Sequence, residues 1–196
     1  ANYENGNLDN KGYYKNGEKD GLWVANYENG NFRFKGYYKN GEQDGLWVEY
    51  YSSGKLREQI FYKNGLFEGI YESYYRNGNL NYKANYKDDS IDGFEYRYFE
   101  NGKLKSINFY KNKKREGIFE RYFENGNLKR KGNFKNGEHD GIDKMYWMNG
   151  RLKKKSNWKN GERNGLVVFY DHNGNLVYEG NFRNGKKDGI WKLYDR

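Results

Sequence analysis

The sequence predicts an all-β chain, an elongated antiparallel meander of about eight 24-residue β-hairpins forming a single-layer, solenoid-like ribbon. Three observations predict it. Glycines recur 24 residues apart without a break in register, at Gly21, Gly45, Gly69, Gly93, Gly117, Gly141, Gly165 and Gly189, and again from Gly6 through Gly30 and Gly54 to Gly174. Between them, aromatic-rich runs are separated by Asn-Gly pairs, the strongest short hairpin signal. The chain is also 20% aromatic and 32% charged, with a mean hydropathy of −1.35. Aliphatic material for a thick core is scarce, so large rings must provide the packing.

The elements of one unit follow in order. KNGEKDGLW at Lys15–Trp23 returns as KNGEQDGLW at Lys39–Trp47. Asp-Gly opens a strand with a Leu or Ile and then a large ring. If Asn29-Gly30 is a type I′ turn, both central residues need positive φ, Tyr27 faces Phe32, Trp23 faces Gly36 and Tyr38 faces Gly21. Crossing the next loop with Lys39 opposite Asp44 brings Trp47 to the other side of Gly36. A ring laid across a strand glycine covers its bare backbone, and stacked neighbours supply the packing that one hairpin lacks. About sixteen strands at ~4.8 Å spacing give a ribbon of about 75 Å. Residues 1–196 read as one tandem array. Ala1-Asn2-Tyr3 matches Ala25-Asn26-Tyr27 and the chain ends one strand into a unit, so more chain is expected upstream. Open strand edges suit a monomer or weak end-to-end association.

Strand alternation separates two faces. One carries the Gly–aromatic–Leu set. The other carries an aliphatic column, Leu22, Leu46, Ile70, Ile118, Ile142, Leu166 and Ile190, with Phe94, and a tyrosine column from Tyr50 and Tyr74 to Tyr194, interspersed with lysine and arginine.

The chain has no cysteine, which excludes disulfides, Cys-based zinc sites and cysteine catalysis. It shows no apolar run long enough to span a membrane and no signal-peptide core; a signal removed before Ala1 remains open. The net charge of +9 points to an anionic partner, or equally to the AT-rich codons of a low-GC bacterium, which favour Lys, Asn, Tyr, Phe and Ile.

The recurring KNG-x-x-DG-Leu-Trp, Tyr-Tyr-x-NG-x-Leu and Gly-x-Tyr resemble MORN repeats over all 196 residues, specifically the bacterial variant called MORN-2, found in proteins labelled YwqK-like antitoxins. The resemblance implies a hairpin array with a groove, scaffolding, protein–protein contact and, for some members, affinity for phosphoinositides. MORN repeats also accompany phosphatidylinositol-phosphate kinase domains, but this chain has no kinase motif and no glycine-rich phosphate loop. The middle units depart from the pattern. The small-residue column becomes Ile60, Ala84, Asn108 and Ser156. The tryptophan column becomes Tyr71, Glu95, Phe119, Asp143 and Val167. The second turn loses Asn-Gly at Asp88-Asp89 and Asn112-Lys113.

Two candidate sites follow. The aromatic face, with Trp23, Trp47, Tyr71, Phe119 and Trp191, is interrupted by Glu95 and Asp143 and should also carry Arg97, Arg121, Arg130 and Lys154. It reads as a mixed-charge recognition surface or as drift on a solvated face. The opposite face carries a basic strip, Arg57, Lys83, Lys105, Lys129, Lys131, Lys153 and Lys155, preceded by Arg33 and Lys35. It reads as a polyanion or acidic-membrane site, or as protection against sheet aggregation. A third series, Lys15, Lys39 and their repeats, should face acids such as Asp20, Asp44 or Glu68 across each loop and is turn structure. His139 in a loop and His172 in a turn are far apart in the array, and neither belongs to a triad-like or metal-ligand cluster. The sequence therefore reads as a non-enzymatic binding module or scaffold without a cofactor. Its expected place is secreted or at the surface of a low-GC bacterium, with a cytoplasmic one open, and its expected partner is a protein, including one on a host cell. Anionic phospholipid, glycan or cell wall, and a toxin are the alternatives; nucleic acid is disfavoured because the period already explains the aromatics.

Overall fold

In the computed structural model, which describes residues 2–195, twenty strands form an antiparallel sheet and no helix occurs among the described residues. Ala1 and Arg196, where the sequence enters and leaves the array in mid-unit, lie outside the described residues. The repeat is the expected hairpin. Strand Glu18–Asn26 pairs with Phe32–Lys39, and Trp23 faces Gly36 while Gly21 faces Tyr38. Strand Phe32–Lys39 then pairs with Glu42–Gln43 and Gly45–Tyr50. The count exceeds sixteen because four units break their opening strand at Asp44, Glu68, Glu116 or Asp140, just before a glycine with positive φ such as Gly45 (φ 87°) or Gly69 (φ 76°).

The two Asn-Gly pairs of a unit are different turns. At Asn40-Gly41 both φ values are positive, 49° and 80°, and Lys39 faces Glu42, which is the two-residue type I′ turn. At Asn29-Gly30 only the glycine is positive, at 86°. There Gly30 N–H donates to Tyr27 O and Tyr27 N–H to Asn31 O, so the chain makes a wider turn closed by a bulge. This corrects two expected pairings. Phe32 faces Asn26, not Tyr27, and Lys39 faces Glu42, not Asp44. The Trp23–Gly36 register survives because the bulge at Arg33 absorbs the offset of the first turn, and the break at Asp44 absorbs that of the second, which keeps Lys35 opposite Val48.

These turns also stitch successive units together. Asn29 Oδ1 accepts the Asn31 N–H at 3.1 Å while its Nδ2 donates to Ser52 O at 2.8 Å, and Asn5, Asn77, Asn125 and Asn149 repeat the bond to the next unit. The acids before the second glycine accept a backbone N–H from the following turn, as at Asp20–Asn40 and Glu116–Asn136. Asp88-Asp89 and Asn112-Lys113 keep positive φ without a glycine. At the first of these, Asp89 Oδ1 accepts the Phe67 N–H at 2.7 Å, a bond glycine cannot make.

Contacts divide the chain into two compact units. The first runs to Gly93 and takes in Glu100–Gly102; the second holds Phe94–Phe99 and the chain from Lys103. In the first, the buried apolar residues are Trp23, Ala25, Trp47, Ile60 and Ala84, all on the aromatic face. In the second, they are Phe119, Phe134, Val167 and Val168. The aliphatic column lies on the other side and stays open, from 39% exposed at Leu166 to 80% at Ile190. One face is dry because its rings cover one another. The other carries isolated aliphatic side chains on alternate strands.

Candidate functional site, a charged interruption of the aromatic face

In the first unit the aromatic face is a continuous chain of rings. Tyr14, Trp23, Tyr38, Trp47, Tyr62, Phe67 and Tyr86 meet edge to face with centroids 5.0–6.0 Å apart. Each indole leans back over the glycine of the preceding strand. A Cβ built on Gly12 would stand 2.1 Å from Trp23, and one on Gly36 2.2 Å from Trp47. The indole Nε1 donates to Tyr13 O and Tyr37 O respectively, at 3.1 and 3.0 Å. Trp23 and Trp47 are therefore core. Tyr71 completes the series opposite Ala84 and donates its hydroxyl to Glu58 at 2.6 Å; burial and that carboxylate hold its pKa far above the usual phenol range. Glu58 faces Glu49 directly, and Arg57 pairs with both, at 3.2 and 3.3 Å. Burial, then the Glu58 charge, raises the Glu49 carboxyl.

In the second unit Phe119 and Val167 take two of the four missing indole positions, and the other two carry a carboxylate held by a guanidinium. Glu95 is 3% exposed. Its Oε1 accepts from Arg97 Nε and Nη2 at 3.2 and 2.8 Å, and its Oε2 accepts from Asn108 Nδ2. Asp143, also 3% exposed, faces Ser156 and receives Arg130 Nε and Nη2 on Oδ2 at 2.9 and 2.8 Å. The Arg130 guanidinium lies over Phe119, 5.3 Å from its centroid. At Asp143 a flat ion pair thus fills the place of a flat ring, and its buried acid is satisfied. Arg121 and Arg130 face each other across one hairpin. Arg121 gives Nη2 to Asn108 Oδ1 at 3.0 Å and Nη1 to the carbonyls of Ile107 and Glu120. Burial and then Arg115 lower its pKa. Lys154 faces Met145 and Phe169, and burial followed by the Arg163 charge lowers its ammonium. Trp191 closes the series over Gly180.

The structure brings all eleven named residues to one sheet face, within their respective units, and adds members the sequence reading missed. Asn108, in sequence only a departure from the small-residue column, bridges Glu95 to Arg121. His139 is not in a loop but in strand Glu138–His139 opposite Phe134, with ring centroids 4.4 Å apart, and lies 5.1 Å from Trp158. Burial, then Arg130, pushes its pKa down. Its phase was only a weak signal, since residue 139 holds the place of Phe67 but other units put Lys19, Gln43, Ile91, Arg115, Arg163 or Lys187 there. Among the described residues no group of three or more His, Asp or Glu is placed to hold a metal.

The basic strip resolves into two columns. Lys83, Lys131 and Lys155 stand in the ladder opposite Glu72, Glu120 and Lys144, and Lys83 pairs with Glu72 at 2.7 Å. Arg57, Lys129 and Lys153 occupy the extra residue of the bulge after each wide turn. Lys105, Lys129 and Lys153 sit over Phe99, Phe123 and Trp147 at 5.5, 5.4 and 4.0 Å. Arg57, at the same bulge position as Lys129 and Lys153, leaves the strip because its own neighbours are the acids Glu49 and Glu58, where theirs are Arg121 with Arg130 and Met145 with Lys154.

Six segments, residues 19–40, 43–64, 67–88, 92–112, 115–136 and 163–184, match the family model described as MORN repeat variant. The stretch between the last two, which carries Asp143 and Lys154, is not matched although it folds as the same hairpin. No curated protein matches the chain. With most of its length matched in the register that the glycine period and strand pairing establish, the chain belongs to the MORN repeat family, a class of repeat binding modules.

Proposed function

We propose that this chain is a non-enzymatic module of a secreted or surface-exposed bacterial protein that holds a protein partner on its aromatic face. The observation that carries the reading is the presentation of Arg97 and Arg130, with side chains 55% and 33% exposed, anchored at their bases by the buried acids Glu95 and Asp143. Arginines fixed in place beside rings lose little entropy on binding, and Arg with aromatics is the composition that dominates protein interfaces. Crosslinked capture from cells of the source organism tests it. A partner retained by the native chain should be lost with Arg97→Ala and Arg130→Ala together and kept with Lys131→Ala and Lys155→Ala. Equal retention by both variants refutes the face assignment. Recovery of the chain only in the cytoplasmic fraction refutes the surface placement.

One observation favours a second reading, contact with anionic lipid through the other face. Lys131, Lys144 and Lys155 lie side by side on three successive strands, an arrangement unfavourable in a sheet unless an anion offsets it. Cosedimentation with phosphatidylserine vesicles at physiological salt, lost when Lys129, Lys131, Lys153 and Lys155 become glutamate, supports this reading. Binding that disappears by physiological salt refutes it.

A further inference from the structure

The place of the missing indole at Glu95 is a recess of about 300 Å³, lined among others by Glu95, Arg97, Asn108, Tyr110, Arg115 and Arg121. Its charge does not balance. Three guanidiniums face one carboxylate, and that carboxylate is already engaged by Arg97 and Asn108. Among the described residues Arg115 and Arg121 form no ion pair. A guanidinium carries five N–H donors. Arg121 spends three on Asn108 Oδ1 and two backbone carbonyls, all neutral acceptors. Arg115 spends its Nε–H on the Tyr110 hydroxyl at 3.3 Å and lies over Phe134. That bond uses the Tyr110 oxygen as acceptor and leaves its O–H free to donate. Two cations, one of them half-buried, thus converge with unspent donors on an opening in the face.

We propose that this recess receives the carboxylate of an Asp or Glu side chain from the protein partner, between Arg115 and Arg121, with the Tyr110 hydroxyl as a further donor. The inference rests on the protein-contact reading and names the chemistry of its anchor. A carboxylate suits the two donors left on Arg121, since fork-to-fork pairing uses two parallel N–H bonds. Charge alone does not single out a carboxylate, because three guanidiniums against Glu95 leave the recess net positive and attract any anion; the fork geometry is what favours a carboxylate, and inorganic phosphate is the competing probe. The substitution from ring to acid therefore converts a packing position into an open, positively charged recess.

The test is an NMR titration of the isotopically labelled chain with a capped hexaglutamate peptide, with hexaglutamine and inorganic phosphate as comparison probes. Hexaglutamate should shift the amides of Asn108, Arg115 and Arg121, and hexaglutamine should not. Arg115→Gln, at an exposed position whose replacement leaves the fold intact, and Arg121→Gln should each weaken binding by about tenfold or more, the usual loss for a charge-assisted bond. Lys131→Gln with Lys155→Gln on the other face should change it by less than about threefold. Equal loss in both sets, unmoved recess amides, or phosphate binding there without hexaglutamate binding overturns the inference. Partner capture that persists in the Arg115→Gln, Arg121→Gln double variant also overturns it, while leaving the broader protein-contact reading standing.

Discussion

Replacing Gly36 with alanine is expected to be among the most damaging single methyl additions in this chain, and the reason is a ring, not a backbone angle. Of the 26 glycines, only Gly12, Gly36, Gly132 and Gly180 lack positive φ, and a Cβ on each would collide with Trp23, Trp47, Phe119 or Trp191. At Gly36 the added carbon stands 2.2 Å from Cδ2 and Cε2 of Trp47 and 2.6 Å from Nε1. Ordinary carbon contacts are ~3.5–4.0 Å, so the indole must retreat by about 1.5 Å. It has nowhere to go cheaply: Trp47 is 6% exposed, stacks on Phe34 at 5.1 Å and meets Tyr38 and Tyr62 edge-on. Overpacking costs about 1–3 kcal/mol, and displacing the Nε1 bond to Tyr37 O about another 1 kcal/mol. Urea unfolding followed by far-UV circular dichroism should therefore show Gly36→Ala destabilised by about 2–4 kcal/mol. The decisive comparison is the same change in a Trp47→Ala background. With the ring gone, alanine in a strand should be about 0.5–1 kcal/mol better than glycine, so the sign reverses. An equal cost in both backgrounds would refute the ring-over-glycine account.

Three further outcomes are expected. Asn29→Gly should lower stability by about 1 kcal/mol, because it removes a side-chain bond to Ser52 O and another to Asn31 N–H, whereas Asn40→Gly should be neutral or nearly so, since only positive φ is needed there; thermal melts of the two variants check this. His139 has its pKa lowered by burial and then by Arg130, so the unfolded chain takes up the proton first. Stability contributed by the neutral ring should be present above pH ~6.5 and lost as pH falls through the folded value, and His139→Phe should flatten that part of the urea-midpoint profile. Glu49 has its pKa raised by burial and then by Glu58, so its contribution is greatest at low pH and is lost as pH rises through the folded value. Glu49→Gln should therefore raise the melting temperature at pH 7 and leave it unchanged at pH 4, and a decrease at pH 7 would show that the Arg57 pair outweighs the repulsion.

Much of this molecule was legible without coordinates because its determinants are local and repeated. The 24-residue period sets the hairpins, and strict alternation assigns Trp23, Gly36, Arg121, Arg130 and Asp143 to one face whatever the turns do in detail. Glu95 and Asp143 announced themselves as acids at ring positions. What their acidity meant did not follow, because an ion pair depends on how far a long side chain reaches and on what stands across the hairpin. Arg97 is two residues from Glu95, but Arg130 comes to Asp143 from a neighbouring strand, and Asn108 reaches both Glu95 and Arg121.

The amino-acid sequence alone thus determined the period, the face of every strand residue and the glycine–ring packing, since each follows from chain geometry within one or two units. The tertiary structure alone decided which Asn-Gly is a type I′ turn and which a bulged one. The same dipeptide serves both, and the wide turn also forms at Ser53-Gly54 without an asparagine, so the dipeptide does not set the turn type. It alone decided that Arg57 leaves the basic strip, because Glu49 and Glu58 stand within its reach, whereas Lys129 and Lys153 at the same bulge position lie over Phe123 and Trp147. It also decided that Arg115 and Arg121 share a recess whose one carboxylate, Glu95, is held by Arg97 and Asn108, which is a matter of where groups converge in space and not of spacing along the chain.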